Sequence, residues 1–167
     1  MAPRVVLVGP PGSGKSTTAE LLATRLGVAA RDTDADIEHE TGTTIADLFV
    51  DHGEEHFRVL EKAAVGRALR EHDGVLALGG GAVIDPDTQR ALDGLTVVFL
   101  DVSIKDAASR IGLNRDRPLL LGNPRAQWTR LMQARRAVYE RLASARVDTD
   151  GKTPEQVAAE VAAVMSR

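Results

Sequence analysis

At 167 residues the chain has the length of one compact domain and is too short for two catalytic domains in tandem. Its 43% hydrophobic and 27% charged residues fit a soluble globular protein, and no apolar run approaches the roughly 20 residues that span a bilayer, which sets aside helical membrane proteins. With 21 Lys and Arg against 24 Asp and Glu the net charge is −3, which speaks against a nucleic-acid partner, and the lack of cysteine removes disulfide, thiolate and zinc-thiolate chemistry.

In chain order, Val5-Val6-Leu7-Val8 predicts a strand over 4–8 with no signal segment before it, so a cytoplasmic protein is expected. The strand feeds into Gly9-Pro10-Pro11-Gly12-Ser13-Gly14-Lys15-Ser16, which fits G-x-x-x-x-G-K-[ST] at every constrained position. A helix predicted over 15–26 completes the strand–loop–helix setting this motif requires. Small residues let the main chain curl around an anion with several N–H groups aimed inward. Gly12, Ser13, Gly14, Lys15, Ser16 and Thr17 are therefore candidate nucleotide-binding residues. Lys15 adds a mobile charge, the helix its partly positive end, and Ser16 a short oxygen ligand for the Mg²⁺ that accompanies ATP or GTP.

A second strand over 29–32 ends on Asp32-Thr33-Asp34. Read as extended chain, residues two apart face one side, which turns both carboxylates into the crevice at the carboxyl ends of the strands. Asp32 becomes a candidate metal ligand, and Asp34 a group that orients an attacking hydroxyl or accepts its proton; alternatively Asp34 only caps the helix predicted over 34–40. Helices are also predicted over 44–51 and 54–71. From 32 to 61 there are ten Asp or Glu against Arg58 alone. His52-Gly53-Glu54-Glu55-His56 matches an inverted zinc-protease pattern, but Gly53 interrupts the face that would align the imidazoles and no third ligand is evident, so that reading is rejected. His39 and His72 read as lone surface histidines. Phe49 and Phe57 are either core or an apolar wall beside Arg58.

A third strand over 75–78 runs into Gly79-Gly80-Gly81, which clears side chains from a strand end and lets a ligand touch main-chain N–H groups. A helix over 86–92 precedes a strand over 96–101, whose Asp101 has the look of a Walker-B aspartate and rivals Asp32 for the metal. Beyond a helix over 104–110, the irregular residues 112–124 read as a mobile cover that excludes water from a γ-phosphate. A helix over 124–144, a strand over 146–148 and a helix over 154–165 complete the chain, the last opened by Thr153-Pro154 with Gln156. Residues 110 to 146 hold nine Arg against Asp116 and Glu140, a setting for guanidinium forks that grip phosphate or carboxylate, although Arg125, Arg130 and Arg141 read as solvated. The alternation predicts an α/β fold with a five-stranded parallel sheet between helical layers.

The phosphate loop, Asp32-Thr33-Asp34, Phe57-Arg58 followed by Glu61, Gly79-Gly80-Gly81 and Arg117-Pro118-Leu119-Leu120, in this order and over nearly the whole chain, resemble shikimate kinase. The resemblance implies a three-layer αβα P-loop kinase fold in one monomeric domain, 1–167, with a substrate-binding segment at about 33–61 and a lid at about 112–124. It implies transfer of the ATP γ-phosphoryl to the 3-hydroxyl of shikimate, with Mg²⁺, on the route to chorismate and the aromatic amino acids. Lys15, Asp34 and Arg117 would be catalytic, with Ser16 and Asp32 at the metal. Arg110, Arg117, Lys152 and Pro154 would flank the nucleotide, Arg110 near adenine. Asp34, Arg58, Gly79, Gly80, Gly81 and a second arginine would hold shikimate. The family has an arginine four residues before a tyrosine; spacing to Tyr139 selects Arg135, but Ala137 stands where the family usually has proline, and Arg136 stays open. A nucleoside-monophosphate, gluconate or adenylylsulfate kinase would use a similar frame, and a noncatalytic nucleotide switch is the rival from another class.

Overall fold

In a computed structural model, which describes residues 2–112 and 123–167, alternation along the central strands decides the layering. Five parallel strands, β1 (Val5–Val8), β2 (Ala30–Asp32), β3 (Val75–Ala77), β4 (Val97–Asp101) and β5 (Ala145–Asp148), lie in the order β2-β3-β1-β4-β5. Val5, Leu7, Val98 and Leu100 project to one face and pack against α1 (Lys15–Leu26) and α7 (Pro154–Met165). Val6, Val8 and Phe99 project to the other, with Val65 and Ala68 of α3 (Ile45–Glu71), Ala107 of α5 (Ile104–Ile111), and Trp128 and Tyr139 of α6 (Pro124–Leu142). Both faces are covered, so β1 and β4 read as unbroken apolar runs. A smaller cluster of Ile37, Leu48, Phe57 and Ala64 joins α2 (Thr33–Thr41) to α3.

The predicted elements appear, most boundaries falling within a residue or two; a 3-10 turn at Ala82–Ile84 and the helix α4 (Pro86–Ala91) follow β3. The helices predicted over 44–51 and 54–71 form one run whose break survives as a kink, with Gly53 at φ 84° and ψ 171° inside α3. Two expectations are corrected. Asp34 is not on extended chain: Asp32 is the N-cap of α2, its Oδ1 accepting from the N–H groups of Asp34 (2.8 Å) and Ala35 (3.3 Å), and Asp34 sits in the first helical turn. His72 is not a surface residue. It is 9% exposed, with Nε2 3.1 Å from the carbonyl of Ala29 and 3.0 Å from that of Val75, where it joins the end of α3 to the sheet.

The phosphate loop leaves β1, Asp32 ends β2, the glycine turn follows β3, Asp101 ends β4 and Thr149 follows β5. All five lie at the carboxyl edge of the sheet, where open α/β folds bind ligands.

Candidate active site

The loop after β1 is held from several sides. Gly12 has φ 86°, and a Cβ there would come within 3.0 Å of Ala107 on α5, so the position suits glycine for both backbone and space. The Lys15 ammonium donates to the carbonyls of Gly9 (2.7 Å) and Pro10 (3.1 Å). Its pKa is lowered to about 8 by the protein packed around it, against the opposing pull of Asp34 and Asp32. The Ser16 hydroxyl donates to Oδ2 of Asp32. The buried Ser13 hydroxyl has no partner among the described residues.

This loop lines a cleft of about 540 Å³ with Asp32, Asp34, Arg110, Thr149, Lys152 and Pro154. Arg110 donates to the carbonyl of Gly12 (3.0 Å) and to Thr149 through both its hydroxyl (2.9 Å) and its carbonyl (2.7 Å). Lys152 donates to the carbonyl of Asp148 (2.7 Å) and pairs with Glu160 (2.9 Å), so its ammonium is already engaged. The structure thus gathers every nucleotide candidate into one cleft except Arg117, which lies outside the described residues.

Beside this cleft the glycine turn forms a bare floor that three side chains approach. A Cβ on Gly79 would stand 2.5 Å from Oδ1 of Asp34, one on Gly80 would stand 3.5 Å from the Arg135 guanidinium, and one on Gly81 would stand 2.5 Å from that of Arg58. Asp34 Oδ1 is buried and makes no hydrogen bond among the described residues. Burial, then Asp32 and Glu61, raise the Asp34 pKa to about 6 while Lys15 opposes the rise. Arg58 is held by Glu61 (2.7 Å) and Glu54 (3.4 Å), with its guanidinium 5.4 Å from the Phe57 ring. Glu61 is itself buried, which pushes its carboxyl above the usual range although Arg58 pulls it down. Phe57 is core at 3% exposure, whereas Phe49 is 36% exposed, their rings 4.8 Å apart.

Arg135 and Arg136 part company on α6. Arg135 is buried beside the glycine turn. Arg136 forms two 2.9 Å bonds to the carboxylate of Asp101, which Arg146 also binds at 2.8 Å. Asp101 is accordingly occupied by two arginines and does not line the phosphate-loop cleft, while Asp32 does. The oxygen pair of Ser16 and Asp32, one hydroxyl and one carboxylate next to a phosphate loop, fits the few protein ligands that Mg²⁺ takes alongside nucleotide phosphates. His52 and His56 depart from the expected misalignment: their rings lie 4.7 Å apart across the kink. No cluster of three or more His, Cys, Asp or Glu forms a metal site among the described residues.

Sequence reasoning missed two struts. The Trp128 indole donates to the carbonyl of Pro11 (2.8 Å), and the Tyr139 hydroxyl to that of Gly80 (2.5 Å), so one face of α6 is pinned to the phosphate loop and to the glycine turn. The signal was available as spacing: Trp128, Met132, Arg135 and Tyr139 are the buried residues of α6 and recur at four, three and four. Trp128→Phe keeps a ring but removes the donor, and should cost about 1 kcal/mol, a fall in Tm of roughly 2–4 °C by calorimetry. The native chain's sole tryptophan should change its emission when ADP is titrated in, since its partner belongs to the loop that would hold the phosphates.

A family model described as shikimate kinase matches residues 11–166. A shikimate kinase of Streptomyces avermitilis is 60% identical over 156 residues, covering 93% of this chain and 91% of its own, and one from Streptomyces coelicolor is 58% identical with the same coverage. Among solved structures, shikimate kinase from Acinetobacter baumannii in complex with shikimate superposes with a TM-score of 0.90 at 30% identity, covering 99% of this chain and 93% of that one.

Proposed function

The chain belongs to the shikimate kinase family of ATP-dependent phosphotransferases acting in aromatic biosynthesis, and from that membership we propose how its own residues divide the work. The observation that carries the reading is the convergence of Asp34, Arg58 and Arg135 on the glycine turn, next to the phosphate-loop cleft. A planar carboxylate calls for arginine forks and a sugar-like hydroxyl for an acceptor, and this floor offers both within reach of one small ring. Arg58 and Arg135 take the carboxylate of shikimate, backbone at Gly79, Gly80 and Gly81 takes its edge, and the unpartnered Oδ1 of Asp34 accepts from the 3-hydroxyl.

Lys15, with Arg117 from the segment between α5 and α6, stabilises negative charge on the migrating phosphoryl group. Gly12, Ser13, Gly14, Ser16 and Thr17 cradle the phosphates, while Arg110, Lys152 and Pro154 border the rest of the nucleotide. Mg²⁺ bound with ATP by Ser16 and Asp32 supplies charge neutralisation at the phosphates. The chain works as one domain over 1–167, with 33–61 as the substrate segment and 112–124 as the lid, as a cytoplasmic monomer that engages neither nucleic acid nor membrane. No described helix is long and apolar enough to cross a bilayer.

A coupled ADP-release assay tests the substrate: turnover with shikimate and none with gluconate is expected, and the reverse would refute the proposal. The titrating groups add a pH test. Asp34 can take the hydroxyl proton only when ionised, so kcat/KM for shikimate at saturating ATP should fall below about pH 6. Lys15 loses its charge on the other side, so kcat/KM for ATP should fall above about pH 8. An acid limb near 4 would contradict the raised Asp34 carboxyl.

A further inference from the structure

The geometry points to a transition-metal site on the exposed side of the α3 kink, formed by His52 and His56, which phosphoryl transfer does not use. The pair has the H-x-x-x-H spacing that often supplies half of a zinc site, and the ring centroids are 4.7 Å apart with planes tilted 36°. Imidazole nitrogen binds zinc at about 2.0–2.1 Å, which sets each ring centre about 3.2 Å from the ion; two centres 4.7 Å apart then share one ion at an N–metal–N angle of about 95°. That angle lies between octahedral and tetrahedral values, so the spacing of the two rings is one that a shared ion accepts.

Both histidines are exposed, and among the described residues neither has a hydrogen bond or ion pair that would have to be broken. A protease fails here for want of a third ligand, but a two-imidazole clamp leaves its remaining positions to water. Imidazole favours Zn²⁺, Ni²⁺ or Cu²⁺, whereas the hydroxyl and carboxylate of Ser16 and Asp32 favour Mg²⁺, so the two sites differ in chemistry as well as place. Across the same kink the rings of Phe49 and Phe57 meet at 4.8 Å. An ion held by His52 and His56 bridges this same kink at Gly53, the non-helical residue of α3.

Calorimetric titration of the untagged full chain with ZnCl₂ and with NiCl₂, in excess MgCl₂ to fill oxygen sites, tests the assignment. One ion per chain is expected, with affinity reduced about 10-fold or more in His52→Gln and in His56→Gln and unchanged in His39→Gln. Zinc should raise the unfolding midpoint of the native chain and not of His52→Gln. Because both rings are exposed, circular dichroism of the variants should match the native protein. Absence of binding heat, or binding that survives both substitutions, overturns the site.

Discussion

Asp34→Asn is expected to lower kcat about 10²–10⁴-fold and, at the same time, to raise the thermal stability of the ligand-free protein at pH 7.5. The two effects share one cause. Asp34 is held where its Oδ1 finds no donor among the described residues and where burial, Asp32 and Glu61 all disfavour a charge, so its pKa moves from 3.8 to about 6. At about 1.4 kcal/mol per pH unit, ionising it inside the fold costs up to about 3 kcal/mol relative to the unfolded chain. A carboxyl whose folded pKa is raised contributes stability below its unfolded pKa and loses it as pH rises through the folded value. The deficit therefore opens between about pH 4 and pH 6 and is complete at pH 7.5. Asn carries no charge, and a gain of about 1–2 kcal/mol corresponds to a Tm higher by roughly 2–8 °C at pH 7.5 that shrinks toward zero at pH 4. Differential scanning calorimetry at both pH values, beside steady-state kinetics, reads both effects. Wild-type-like turnover would remove Asp34 from the chemistry, and an equal gain at both pH values would show that the strain is not electrostatic.

The same residue shows what the sequence could and could not disclose. The phosphate loop is legible because its spacing, the strand before it and the helix after it are all local. Asp32 and Asp34 do share the cleft, but through a cap and a first helical turn; extended chain and a capped helix both bring such a pair to one side. Arg135 and Arg136 are indistinguishable by residue type, and their fates are settled by Asp101, which lies 35 residues before Arg136 and engages it fully. The Trp128–Pro11 bond spans 117 residues and the Tyr139–Gly80 bond 59. No local pattern encodes such partners; they follow from strand order, which decides that α6 crosses the carboxyl edge of the sheet.

Gly81→Ala is expected to raise KM for shikimate about 10–100-fold while leaving KM for ATP near its native value, because it moves Arg58 without removing it. Gly81 has φ −98° and ψ −1°, which alanine adopts without strain, so the fold should tolerate the change. Its Cβ, however, would sit 2.5, 2.6 and 2.8 Å from three atoms of the Arg58 guanidinium. The guanidinium is the tip of a flexible side chain and can shift while its charge stays near Glu61, but it then leaves the floor where a substrate carboxylate would meet it. Arg58→Ala is the less clean experiment: it strands the carboxylate of Glu61, 5% exposed and paired with Arg58 at 2.7 Å, so lost binding and lost stability would arrive together. A charge-assisted bond lost from ground state and transition state alike raises KM and spares kcat. If Gly81→Ala instead raised both Michaelis constants in parallel, the turn would be serving the nucleotide loop through Gly80 and Pro11, and Arg58 would have no special claim on the acid end of the substrate.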